Sequence, residues 1–159
     1  MADNKLKLIK KTTEELIGLL GFEVKISVDE DKENEAVVVQ IETAEEGMLI
    51  GYHGQTLSSL QLLLGMMMTK KLGEWKRLIV NIGDYRQKRE EILKRMAMNA
   101  AQKAHFSGQP VVFSDLSPFE RRVIHTILTD HADVETYSEG EGRERKLIIR
   151  PRSLKSENS

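Results

Sequence analysis

Ile50-Gly51-Tyr52-His53-Gly54 is the stretch on which the fold of the first half turns. Two glycines with two residues between them stop one helix and open another, because glycine takes left-handed backbone without a Cβ penalty. Upstream, Met48, Leu49 and Ile50 close a short helix expected over Ala44 to Ile50. Downstream, Leu57, Leu60, Leu64 and Met67/Met68 recur at helical spacing, giving a buried face to a longer helix from Gln55 to about Lys71 that Gly73 breaks. Before this pair, Lys5 to Leu20 reads as a helix with Leu8, Ile9, Thr12, Leu16 and Leu19/Leu20 inward, stopped by Gly21. Phe22 to Val28 alternates as a strand, Asp29 to Glu35 turns, and Ala36 to Glu42 returns. Arg77 to Ile82 is a third strand, so the order is αββααβ.

Past Gly83 the pattern restarts. Asp84 suits the N-cap of a long helix reaching about His105, with Tyr85, Ile92, Leu93, Met96, Ala97, Ala100 and Ala104 inward. Gly108 ends it, and Pro110 to Phe113 is a short strand. Ser117-Pro118-Phe119-Glu120 is a complete helix start: a Ser cap, Pro at the first helical position and Glu as the capping-box partner. That helix runs to about Asp130, and Val134 to Ser138 and Lys146 to Arg150 form two strands around Glu139-Gly140-Glu141-Gly142. The second half is αβαββ. The class is α+β, with a first domain over 1–83, a second over 84–152, and a flexible tail over 153–159.

The 159 residues suffice for a packed core, and the absence of cysteine excludes disulfides and thiolate metal sites. The start, MADNKLKLIKK, is too charged for a signal peptide, and the longest apolar run, Leu60 to Met68, is too short to span a bilayer. Both point to a cytoplasmic protein. Net charge is −1, but it is unevenly spread: residues 1–43 carry 6 basic and 10 acidic side chains, 44–105 carry 10 and 6, and 106–159 carry 8 and 9. The basic excess is therefore central.

A glycine turn that opens a helix lets backbone approach a ligand and aims free N–H groups at it, which suits phosphate oxygens. The same spacing also serves purely structural turns. Tyr52 can stack on a base and His53 can donate to phosphate, but neither replaces an arginine, so this is expected to be the weaker electrostatic contact. In the second half, Arg121 and His125 stand four apart on one side of a helix, outside the arc of Phe119, Val123, Ile124, Ile127 and Leu128. With Arg122 beside them, they offer a guanidinium fork and an imidazole donor.

Competing chemistries find no support. Gly54 is followed by Gln55-Thr56, with no lysine for a nucleotide-hydrolase phosphate loop. His53, His105, His125 and His131 lack zinc-protease spacing, so no metal, cofactor or catalytic residue is expected. Glu45-Glu46 and Glu90-Glu91 read as solvated helix faces, and Met66-Met67-Met68 as core filling.

The αββααβ order around Gly51 to Gly54 resembles a type II KH domain, whose loop clamps about four nucleotides. The Arg121/His125 pair, with Asp84-Tyr85-Arg86…Arg89 before it and Val134 to Gly140 after it, resembles the R-3-H domain, named for an Arg and a His with three residues between. The tandem, over roughly Lys5 to Arg152, resembles the bacterial Jag family (KhpB/EloR-like proteins). That likeness implies a non-enzymatic binder of single-stranded RNA, with single-stranded DNA as the alternative, regulating cell elongation or envelope growth. It places nucleic-acid contacts on Ile50, Gly51, Tyr52, His53, Gly54, Arg121 and His125, with Arg122, Arg86, Arg89, Arg143 and Arg145 as secondary candidates. No counterpart of the family's N-terminal Jag domain is expected here, which puts membrane-linked roles in doubt. By analogy, the partner would be a small KH-domain protein or a second copy. The rival reading is a KH-mediated interaction module in which RNA binding is residual.

Overall fold

The computed structural model describes residues 2–152, so the expected tail over 153–159 lies outside the described residues. The chain divides between Arg86 and Gln87 into two compact units, each of mixed helix and strand.

In the first unit, α1 (Ala2–Leu19) buries Ile9, Thr12, Thr13 and Ile17 along one stripe. The Thr13 hydroxyl donates back to the Ile9 carbonyl (2.8 Å), which makes a buried polar side chain tolerable. Leu19 and Leu20, expected inward, are instead exposed. They lie past the end of the packed stripe, where Gly21 (φ 88°) turns the chain away.

Strand β1 (Lys25–Asp31) pairs antiparallel with β2 (Ala36–Glu42), and β2 pairs parallel with β3 (Arg77–Ile82), giving sheet order β1-β2-β3. The bounds of β2 and β3 are those expected. β1 starts and ends later than Phe22 to Val28, because the ladder with β2 continues to Asp31↔Ala36. Phe22 and Val24 pack against the core without joining the sheet. Asp31 then accepts from Asn34 through its backbone N–H (3.1 Å) and side-chain amide (2.8 Å), which closes the hairpin turn.

Helices α2 (Glu46–Ile50) and α3 (Gln55–Leu72) flank a single 3₁₀ turn, Tyr52–Gly54. α3 buries Leu57, Leu60, Leu64 and Met68 against Val39, Ile41, Val80 and Ile82, while Met66 is exposed.

The second unit contains most of α4 (Tyr85–Ser107), then β4 (Val111–Phe113), α5 (Pro118–Leu128), β5 (Val134–Glu139) and β6 (Lys146–Pro151). Its sheet is antiparallel, in order β4-β6-β5. α4 buries Leu93, Ala97, Ala100, Ala101 and Ala104, a stripe that leaves out Ile92 and adds Ala101 to the expected set. Ile124, Leu128, Val134, Leu147 and Ile149 complete this second core. The division falls at Arg86/Gln87 rather than at Gly83-Asp84 because the first turn of α4 is tied to the first unit. Tyr85 packs on the first core, and Arg86 bonds to β3 and α3.

Candidate nucleic-acid interface

The loop of the first unit is built from buried anchors outward. Leu49 and Ile50 are buried at the end of α2, and the Gly51 N–H closes that helix on the Gly47 carbonyl at 2.9 Å. Gly51 (φ 71°) could carry no side chain: a Cβ there would lie 2.1 Å from Thr56 Oγ1 and 3.0 Å from the Thr56 nitrogen. Gly54 (φ 78°) is similarly tight against the Tyr85 ring, 3.0 Å from Cε1. Between them, His53 also holds a left-handed conformation (φ 49°, ψ 31°), uncommon outside glycine though less so for His than for most residues. The Tyr52 and His53 rings stack, with centroids 4.0 Å apart, and Tyr52 is 62% exposed.

The helix behind this loop begins without a side-chain cap. The Gln55 N–H is taken by the Tyr52 carbonyl, and the N–H groups that follow lie at the positive end of the helix dipole. No Lys or Arg occurs between Lys32 and Lys70, so the loop offers amides and rings rather than fixed cations.

Arg86, a candidate contact, is committed elsewhere. β3 is an edge strand, and both ladder groups of Val80 face away from β2's side of the sheet. Arg86 Nε donates to the Val80 carbonyl (3.1 Å), while Gln61 Oε1 accepts the Val80 N–H (3.0 Å) and Arg86 Nη2 (2.7 Å). Burial lowers the Arg86 pKa, with the nearby Tyr85 opposing, yet a guanidinium stays charged in proteins. The pair satisfies an otherwise open edge.

In the second unit the expected capping box is present. Ser117 Oγ accepts the Glu120 N–H (3.2 Å), and Glu120 Oε2 accepts the Ser117 N–H (2.8 Å). Glu120 is also the partner of Arg89, whose Nε lies 2.7 Å from Oε1, with both side chains largely buried. Arg89 Nη2 is buried with no hydrogen-bond partner. Arg89 is thus turned inward, an anchor for the N-terminus of α5.

Arg121 departs furthest from expectation. It is buried at 9% exposure, and its Nη1 donates to the Leu116 carbonyl at 2.7 Å. A wheel puts it at the rim of the apolar arc. The long side chain folds back over the turn before the helix, which takes the charge off the surface. His125, one turn on, is exposed, with Nδ1 hydrogen-bonded to Thr136 Oγ1 on β5. Arg122 and Arg143 are exposed, and Arg145 is half-buried, donating to the Gly140 carbonyl at 2.7 Å.

Sequence reasoning passed over three residues of this unit. Thr136 lies on the same strand face as buried Val134, a polar side chain turned toward α5, and that alternation was its signal. Arg150 bonds Glu135 (2.6 Å) and lies 5.1 Å from the Tyr137 ring centroid. Arg152 donates to the His131, Val134 and Thr129 carbonyls at 2.9–3.2 Å, fixing the loop after α5. Among the described residues no group of His, Asp or Glu could hold a metal ion, and no helix is long and apolar enough to cross a membrane.

Two family models match this chain: the KH domain of KhpA/KhpB over residues 7–82, and the R-3-H domain over residues 91–151. Similar proteins include RNA-binding protein KhpB of Clostridium symbiosum, 34% identical over 145 residues, or 91% of this chain and 64% of that protein. RNA-binding protein KhpB of Bacillus subtilis is 32% identical over 126 residues, 78% of this chain and 60% of that protein. The protein of the same name from Lactiplantibacillus plantarum is 31% identical over 126 residues, 79% of this chain and 39% of that protein. The chain thus spans less than two thirds of the length of these relatives. With a KhpA/KhpB-type KH domain followed by an R-3-H domain, it belongs among the Jag/KhpB-like proteins.

Proposed function

We propose that this chain binds single-stranded RNA through two seats, one on each unit. The observation that carries the reading is the uncapped N-terminus of α3 behind Gly51 and Gly54, where any side chain at Gly51 would collide with Thr56. Such a surface accepts a phosphate oxygen by its backbone, and exposed Tyr52 adds a ring for a base.

The second seat is Arg122 and His125, with Arg143, exposed on the β5–β6 turn, as a further cation. Arg121, Arg89 and Arg86 hold these surfaces in place and do not contact phosphate. The Jag likeness extends the proposal to post-transcriptional control of cell elongation and envelope growth, exerted in the cytoplasm.

Fluorescence anisotropy with a mixed pool of short labelled RNA tests this. Binding by the intact chain that weakens several-fold in a folded Arg122→Ala/His125→Ala variant supports the reading. Undetectable binding at low salt, or unchanged affinity in that variant, overturns it.

A second reading is favoured by one feature. Leu62, Leu63 and Met66 leave a run of exposed apolar surface on α3, at 50–65% exposure. Such a face suits a second KH domain, either another copy or a small partner protein. Sedimentation of the intact chain and of Leu62→Asp, in high salt, decides whether that face self-associates.

A further inference from the structure

We infer that Thr136 is a positioning residue for nucleic-acid binding: its hydroxyl holds His125 so that an Nε2–H points outward in both charge states of the ring. The inference rests on the reading of His125 as a phosphate contact. Thr136 Oγ1 meets Nδ1, which leaves Nε2 as the ring nitrogen available to a ligand. A hydroxyl both donates and accepts. When the imidazole is neutral, Oγ1–H donates to Nδ1 and the proton stays on Nε2. When the ring is protonated, the hydroxyl rotates and accepts from Nδ1–H. Phosphate, which only accepts, meets a donor either way. A carboxylate in place of Thr136 would instead draw the proton to Nδ1 and present a bare Nε2 to phosphate in the neutral ring.

The backbone supports this assignment. Thr129 Oγ1 donates to the His125 carbonyl at 2.8 Å, and Arg152 ties the loop that follows to three carbonyls. On β5, Glu135 and Tyr137 flank Thr136 but alternate to the other face of the sheet. On β6, Thr136 pairs with buried Ile149, while Arg150 belongs to that same opposite face, bonded to Glu135. On α5, the Arg121 guanidinium is turned to Leu116, and Arg122 is the exposed charge. Among the described residues of these elements, no carboxylate stands on Thr136's face of β5 or on the His125 side of α5.

The test uses the full chain with Thr136→Val, which keeps shape and removes the hydroxyl, and Thr136→Ser, which restores it. Long-range ¹⁵N NMR of His125 at pH 8 reads the tautomer without RNA. The expected result is Nε2–H alone in the wild type and Thr136→Ser, and a mixture of tautomers in Thr136→Val. Anisotropy should then show affinity down roughly 3- to 10-fold in Thr136→Val at pH 8, the equivalent of one hydrogen bond, with a smaller loss at pH 5.5. An Nδ1–H tautomer in the wild type overturns the inference. So does a Thr136→Val affinity equal to wild type at pH 8 while Arg122→Ala still weakens binding. No RNA binding by the wild type, with the expected tautomers present, would overturn the two-seat reading and leave the positioning of His125 standing.

Discussion

In the RNA-binding reading proposed above, the loop of the first unit and the helix of the second would solve the same problem with opposite materials. At Gly51 and Gly54 side chains are absent, so that backbone donors of α3 could be approached, and no Lys or Arg stands within the loop or α3's first turns. On α5 the N-terminus is capped by Ser117 and Glu120, and exposed side chains, Arg122 and His125, would present the donors. A backbone seat depends on shape and responds little to salt. A side-chain seat depends on charge and releases counterions when it binds. The cost of the second design is structural. Two further arginines of the second unit, Arg89 and Arg121, are consumed in internal bonds to Glu120 and the Leu116 carbonyl.

The largest effect that would sharpen this contrast is on stability. Glu120→Ala removes the partner of Arg89 and half of the capping box, leaving a largely buried guanidinium without its carboxylate. Loss of about 3 kcal/mol is expected for the second unit, since breaking a buried pair strands the remaining charge. Thermal melts followed by probes in each unit check it, and a melt unchanged for the second unit would deny Arg89 its anchoring role. Arg86→Ala comes next. It opens the Val80 edge and should cost roughly 1–3 kcal/mol in the first unit, leaving the salt dependence of RNA binding as it was. A flatter salt dependence in that variant would return Arg86 to the set of phosphate contacts.

The smallest effect lies at the β1–β2 turn. The side-chain amide of Asn34, and then its backbone N–H, hold the Asp31 carboxyl below its usual value. A depressed folded pKa means a contribution present above the unfolded value and lost as pH falls through the folded one. Asn34→Ala should move the Asp31 titration back up toward the ordinary carboxylate range, read by NMR, with RNA affinity unchanged. A change in affinity would show that the hairpin takes part in binding.

Much of the fold is legible locally. The Ser117 to Glu120 start is written in four adjacent residues, and their spacing suffices to read it. The ends of β2 and β3 are legible because apolar runs stop sharply at Glu42 and Gly83. The limits of β1 are less so, because pairing with β2 sets them rather than the strand's own alternation. The Arg89–Glu120 bond joins residues 31 apart, and no spacing rule reaches that far. Arg121 escapes sequence reading for a related reason. A wheel gives the direction of Cβ, but a long side chain at the rim of an apolar arc can fold back onto a backbone carbonyl, here that of Leu116. The glycine loop is legible in position, but which of its atoms are exposed depends on Thr56 and Tyr85 closing in behind it.

The most direct test of the contrast between an uncharged loop seat and a charged helix seat is the salt dependence of RNA affinity in two folded variants of the full chain, Tyr52→Ala in the loop and Arg122→Ala/His125→Ala on the helix. Both should bind more weakly than wild type. In the helix variant the slope of log affinity against log salt should fall by about 0.7 for each phosphate no longer gripped, whereas in the loop variant it should stay close to wild type. Equal reductions of slope in the two, or a wild-type slope in the helix variant, would contradict that division of labour.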